Sequence, residues 1–163
     1  MKVHASHAQR VEIDSKRSFE ELAAAFEKMI PPADFALFTK LTASRAAATT
    51  IEAQVQSIAG DLGFMILGKI DQGPLASLLR KTKKMTTYLI GNPVLANQMF
   101  EQCPEVGLHA PLRASIYEDY GGRSHFKYDR PSTLLGQFEN VKIQAIAKIL
   151  DDKMTGLGDY LAQ

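Results

Sequence analysis

The chain holds a single cysteine, Cys103, which excludes an internal disulfide. It has no apolar run near the roughly 20 residues that a bilayer span requires. Its first residues, MKVHASHAQRVEID, lack the apolar core of a signal peptide. It also lacks charge of one sign: 19 basic and 18 acidic side chains leave a formal net charge of +1. Nucleic-acid binders usually carry a basic surplus, so no nucleic-acid partner is expected. These absences together predict a cytoplasmic protein. No internal repeat or low-complexity segment stands out, and no glycine-rich phosphate loop is present. The glycine pair at 121 and 122 reads as a hairpin turn.

The 163 residues are 45% hydrophobic and 23% charged, which suits one domain with a real core. RVEID alternates, with Val11 and Ile13 on one side and Arg10, Glu12 and Asp14 on the other, so a short strand is expected. SFEE, from Ser18, is a capping box that starts a helix with the stripe Phe19, Leu22, Phe26, Met29 and Ile30, stopped by Pro31 and Pro32. Phe35, Phe38 and Leu41 mark a short amphipathic helix within residues 33–48. A second capping box, Thr49 to Glu52, predicts a helix carrying Ile51, Val55, Ile58 and Leu62 and ending at Gly63. FMILGKI and MTTYLIG read as buried strands. Between them, DQGPLASLLRKTKK reads as a loop with a helical turn. Its basic cluster, Arg80, Lys81, Lys83 and Lys84, suits a solvated loop better than a phosphate contact, since nothing aromatic is interleaved with it.

Asn92 and Pro93 are a cap and a first-turn proline for a helix carrying Val94, Leu95, Met99 and Phe100. LRASIYED and RSHFKYD then flank YGG. A three-residue closure sets Asp119 opposite Arg123, Tyr117 opposite His125, Ile116 opposite Phe126 and Ala114 opposite Tyr128. One face then collects Leu112, Ala114, Ile116, Phe126 and Tyr128. The other collects Arg113, Ser115, Tyr117, Asp119, His125 and Lys127; a two-residue closure would mix the sets. Ser132, after Pro131, is positioned to cap a short helix, and a last helix starts near Asn140. Residues 1–9 are expected to be flexible, and the glycine-punctuated tail 155–163 to be loose. The pattern predicts an α+β fold, with about four antiparallel strands packed against helices in a single compact domain over residues 10–154.

GNP, a short amphipathic helix, APLR, a strand ending in YED, a glycine turn and YDRP occur in that order. This order resembles the bacterial family called domain of unknown function 302. SFEEL and GFMILGKID are similar to that family's first helix and second strand. The resemblance spans about Arg10 to Phe138 and implies a compact antiparallel sheet on helices. It implies no activity and carries over no catalytic residue. It also marks the segment between Pro31 and Ala48 as an insertion, in a longer variant with a C-terminal helix.

The candidate site residues therefore rest on their own chemistry. Asn92 opens a helix whose first N–H groups suit an anion, although its structural role as a cap accounts for it as well. Arg113 has the forked geometry that recognises a carboxylate or phosphate. It shares the polar hairpin face with Tyr117, His125 and Lys127, which together read as a ligand-binding face or as a solvated one. Tyr117 and His125 are also the candidates for proton transfer. No serine or cysteine sits beside a histidine in a recognised nucleophile motif. His4, His7, His109, His125 and Cys103 show no CxxC, HxH or HExxH spacing, so neither a metal nor a cofactor is expected. Haem on His109 or His125 has no motif behind it. Cys103, before Pro104, reads as a small buried residue.

The reading that follows is a binding or regulatory domain without catalysis, whose ligand is small, partly apolar and anionic and lies between the hairpin and the Asn92 helix. The alternatives are an enzyme using Tyr117 and His125 with Arg113 as anion clamp, and a homodimeric interaction module built on residues 33–45.

Overall fold

The capping box at the first helix forms in full. The Ser18 hydroxyl accepts the Glu21 N–H at 3.3 Å, and the Glu21 carboxylate accepts the Ser18 N–H at 2.9 Å. In this computed structural model, which describes residues 1, 3, 5–79 and 84–163, the helix it starts is α1 (Phe19–Met29). Strand β1 (Arg10–Ser15) precedes it. Then come α2 (Phe35–Ala43), α3 (Ala48–Ile58), β2 (Met65–Asp71), α4 (Gly73–Leu79), β3 (Met85–Gly91) and α5 (Pro93–Phe100). A 3-10 helix (Pro104–His109) leads into β4 (Leu112–Glu118) and β5 (Ser124–Asp129), followed by α6 (Pro131–Leu135) and α7 (Val141–Leu161).

The strands form one antiparallel sheet in the order β1-β5-β4-β3-β2. Five strands are present against the expected count of about four, and β1 takes the far edge by pairing with β5. The hairpin register is the one its alternation requires: Ile116 faces Phe126, Ala114 faces Tyr128 and Tyr117 faces His125. Its apolar face is buried, Ile116 and Phe126 completely. Helices α1 and α7 pack on this inner face. There the Phe26 ring lies 4.4 Å from Tyr88 and 5.7 Å from Phe126, centroid to centroid. Full burial of such a side chain contributes about 1.5–3 kcal/mol. The Tyr88 hydroxyl leaves the core by donating to Glu27 at 2.7 Å.

Several local expectations are corrected. Thr49 is not a cap: α3 begins two residues earlier than that cap would set it, at Ala48 after Ala47, and has no side-chain cap. That helix ends at Ile58 rather than Gly63, because a separate turn follows in which Gly63 takes a φ of 68°. Strand β3 alternates as a buried strand, but β2 is an edge strand whose end, Lys69–Asp71, is exposed. The loop after β2 contains seven helical residues, α4. Ser132 does not cap α6. Its N–H and hydroxyl both donate to Asp151 on α7. The tail is not loose. Helix α7 continues to Leu161, with Leu157, Gly158 and Leu161 buried. Arg17 and the Ser15 hydroxyl donate to its last carbonyls. Gly158 lets it approach β1, since a Cβ there would meet the Ile13 side chain.

His4, Arg80, Lys81 and Lys83 lie outside the described residues. Lys84 pairs with Glu20. No residue of α2 is buried, and Phe35, 57% exposed, meets Phe38 edge-on.

Candidate ligand-binding site

The two segments that frame the sequence motif meet at one pocket. Gly91, Asn92 and Pro93 form one side of it, and Ala110, Pro111 and Leu112 another. Helix α5 adds Leu95 and Met99, and the core supplies Phe64 and Ile90. The cavity measures about 240 Å³, and its lining is almost wholly apolar. The Ala110–Pro111 peptide bond in its wall is cis.

Asn92 is held at this wall by a double role. Its carbonyl oxygen accepts the N–H groups of Val94 and Leu95 at 2.9 and 3.2 Å, and its amide donates to the Gly63 carbonyl at 2.8 Å. The Ala96 N–H is taken by the Asn92 backbone carbonyl. The start of α5 is thus satisfied by its own cap and does not offer the N–H groups that an anion would need.

His109 is the titratable side chain in the lining. Its Nε2 lies 2.9 Å from the side-chain nitrogen of Gln137, which can only donate. Nε2 therefore accepts, and the ring proton sits on Nδ1. Burial, and after it the positive charge of Arg113, push this histidine below its ordinary value, which agrees with a neutral ring. Nothing in the residue pattern singled out His109 for this role; its cue was its place in an HAP run beside the second motif.

Arg113 does not line this pocket. It is exposed on the outer face of the sheet, at a neighbouring hollow of about 490 Å³ that shares the wall His109 to Leu112 and includes Leu89 and Asp129. Its guanidinium makes no hydrogen bond or ion pair with any described residue. It also borders a shallower hollow with Arg10, Ser115 and Lys127.

Tyr117, His125 and Lys127 form a separate cluster further along the outer face. The Tyr117 and His125 rings stack, 4.9 Å apart and 17° from parallel. His125 is only 4% exposed, although it belongs to the polar face. Its Nδ1 lies 2.8 Å from Asp14 and its Nε2 3.1 Å from Asp119. The Tyr117 hydroxyl donates to Glu12 at 3.0 Å, and Lys127 pairs with the other Glu12 oxygen at 2.8 Å. Lys127, and after it Tyr117, hold the Glu12 carboxyl below the usual carboxylate range. The Arg123 N–H, followed among the favourable contacts by His125, the Arg123 side chain and the Gly121 N–H, holds Asp119 well below that range against desolvation. Glu12 and Asp14 escaped notice because their chemistry depends on a partner strand 111 residues away. The alternation of RVEID was the available cue.

The five residues singled out thus fall into three places: Asn92 at the apolar pocket, Arg113 at the adjoining hollow, and the other three around Glu12. His109 and His125 line no common pocket. Cys103 is half-buried beside the core, and His7 is exposed.

A one-layer antiparallel sheet, backed by helices on one face and carrying a motif-framed pocket at its end, defines an α+β domain. Residues 42–161 match the family described as "Domain of unknown function DUF302", and the chain belongs to it. The fold is similar to that of the crystal structure of an uncharacterised conserved DUF302 protein from Bacillus stearothermophilus. The two share 13% sequence identity and a TM-score of 0.65 over 94% of this chain and 98% of that one. No curated protein matches the chain in sequence. Among the described residues no helix is long and apolar enough to cross a membrane.

Proposed function

We propose that the protein binds a small, partly apolar, anionic molecule without transforming it, at the pocket between α5, the 3-10 helix and the start of β4. The observation that carries this reading is the apolar cavity of about 240 Å³ framed by both halves of the sequence motif. Concave apolar sites with few polar groups are the usual form of a small-molecule site. The cavity has the volume of about eight waters at ~30 Å³ each, which sets the scale of the apolar part. Support for the negative charge comes from Arg113, whose guanidinium has no described partner and lies close enough to His109 to act on it. Binding is favoured over acid–base catalysis because the Tyr117 and His125 rings are stacked, with their polar atoms committed to carboxylates.

Calorimetry with hexanoate and with hexanol tests both parts. Both probes are expected to bind the wild type, and Ala96→Phe, which fills the cavity, is expected to abolish both. Arg113→Ala is expected to weaken hexanoate alone, by about ten- to a hundredfold, the equivalent of the roughly 1.5–3 kcal/mol of a hydrogen bond to a charged group. Arg113→Lys is expected to recover part of the loss. Failure of both probes to bind the wild type rejects the pocket. Equal hexanoate affinity in wild type and Arg113→Ala rejects the anion clamp.

A further inference from the structure

The cluster around His125 is at the opposite end of the outer face from Arg113, and its arrangement is not explained by ligand binding at the pocket. Asp14 and His125 are register partners on β1 and β5, and Glu12 lies two residues from Asp14 on the same side of β1. One donor atom from each of the three lies within 4.8 Å of the others. His125 Nδ1 is 2.8 Å from Asp14 Oδ1 and 3.6 Å from Glu12 Oε1. Nitrogen and oxygen donors sit about 2.0–2.2 Å from an ion such as zinc, so donors sharing one ion stand roughly 3 Å apart. The two separations from His125 are near that spacing, and the Glu12 and Asp14 oxygens lie within 4.8 Å of each other.

The other ring nitrogen points to the same conclusion independently. Nε2 faces Asp119, which is itself fixed by the Gly121 N–H at 2.8 Å and the Arg123 N–H at 2.9 Å. A carboxylate on the far nitrogen is the device that orients metal-binding histidines and fixes their tautomer. If a metal ion takes the place of the proton on Nδ1, that nitrogen and the two carboxylates facing it become three donors to one ion, while Nε2–H stays on Asp119. A proton could bridge Nδ1 and Asp14. Glu12 Oε1, which also accepts the Tyr117 hydroxyl, lies 3.6 Å from the same nitrogen, so a bridging proton serves one of the two carboxylates whereas an ion serves both. Lys127 occupies the other Glu12 oxygen and Arg123 the Asp119 carboxylate. Lys127 and Arg123 therefore meet two of the three carboxylate charges, and the third is left for a proton or a metal ion at His125.

We propose that Glu12, Asp14 and His125 bind one divalent transition-metal ion, with Asp119 as the positioning residue behind the histidine. One imidazole and two carboxylates suit zinc or manganese better than magnesium, which prefers oxygen alone. Exposure of the Asp14 side chain, 74%, leaves the remaining coordination positions to water. The site departs from the absence of metal spacing in the sequence because its donors come from strands at opposite ends of the chain.

The test is isothermal titration of chelator-stripped protein with Zn²⁺ and Mn²⁺, with Mg²⁺ for comparison. One Zn²⁺ per chain is expected, with Mg²⁺ weaker. Asp119→Asn is expected to lower the Zn²⁺ affinity about 10–100-fold, and Asp14→Asn by at least as much. Glu12 and Asp14 are exposed, so the double variant Glu12→Gln, Asp14→Asn keeps the fold, which its melting curve verifies. Absence of stoichiometric binding to the wild type overturns the proposal. So does Zn²⁺ affinity that the double variant leaves unchanged, because the ion then sits elsewhere. Neither result bears on hexanoate binding at the pocket.

Discussion

His125 illustrates how little one residue's place on a face says about its surroundings. The alternation of the hairpin put it on the polar side, and it is there. What the hairpin alone could not show is that β1 and the turn bring Asp14 and Asp119 to its two nitrogens while Tyr117 covers its ring. Asp119 has a measurable consequence of its own. Its folded-state pKa is depressed, chiefly by the Arg123 N–H. A depressed carboxylate stabilises the fold above its unfolded-state value, about 3.9, and that contribution is lost as pH falls toward the folded value. Asp119→Asn is therefore expected to melt below the wild type at pH 7. The gap is expected to narrow steadily once the pH drops under about 4. Thermal melts from pH 7 to pH 2 check this; a gap that stays constant across the range would mean that Asp119 does not titrate as its contacts require.

Among the elements, legibility followed the locality of the signal. The Ser18 box and the Asn92 cap were readable because donor and acceptor lie within three residues. Thr49 and Ser132 matched the same pattern and failed. The first lost to a helix that began two residues sooner, and the second to Asp151, 19 residues away. The glycines of α7 misled most. They read as punctuation, yet Gly158 is a contact surface against Ile13, while Gly156, two residues earlier, has nothing near it. The two sites make a paired test. Gly156→Ala is expected to raise stability by about 0.4–1 kcal/mol through the lower helix cost of alanine. Gly158→Leu is expected to destabilise by at least ~1–3 kcal/mol, the usual range for overpacking. Urea unfolding of both variants settles it. If both changes stabilise, α7 does not press on β1 as described.

For the whole molecule, the sequence showed the class, the family and the hairpin register. The apolar pocket was only half visible. Its two framing motifs were legible, but the distance between GNP and APLR is closed by a turn of 3-10 helix that no periodicity announced. Nor was the place of β1 visible. Strands β2 to β5 follow one another as a meander, whereas β1 pairs with β5, its residues facing partners 109 to 119 positions later. That pairing has a kinetic meaning. Non-local contacts must repay loop closure before they stabilise anything, so proteins rich in them fold slowly. The meander can assemble on its own neighbours, while β1 must wait for β5. During synthesis at about 5–20 residues per second, that wait is roughly 6–20 s. Ile13→Val removes a methylene from β1 at an expected cost of ~0.5–1.5 kcal/mol. If β1 docks last, stopped-flow chevrons are expected to show that cost almost entirely as faster unfolding, with refolding unchanged. A slowed refolding limb would place β1 in the nucleus instead. If β1 does arrive last, the cluster of Glu12, Asp14 and His125 is among the final parts of the protein to exist, and a chain that has closed its meander already holds the α5 and β4 walls of its pocket, leaving those of Leu135 and Leu150 to the helices that follow.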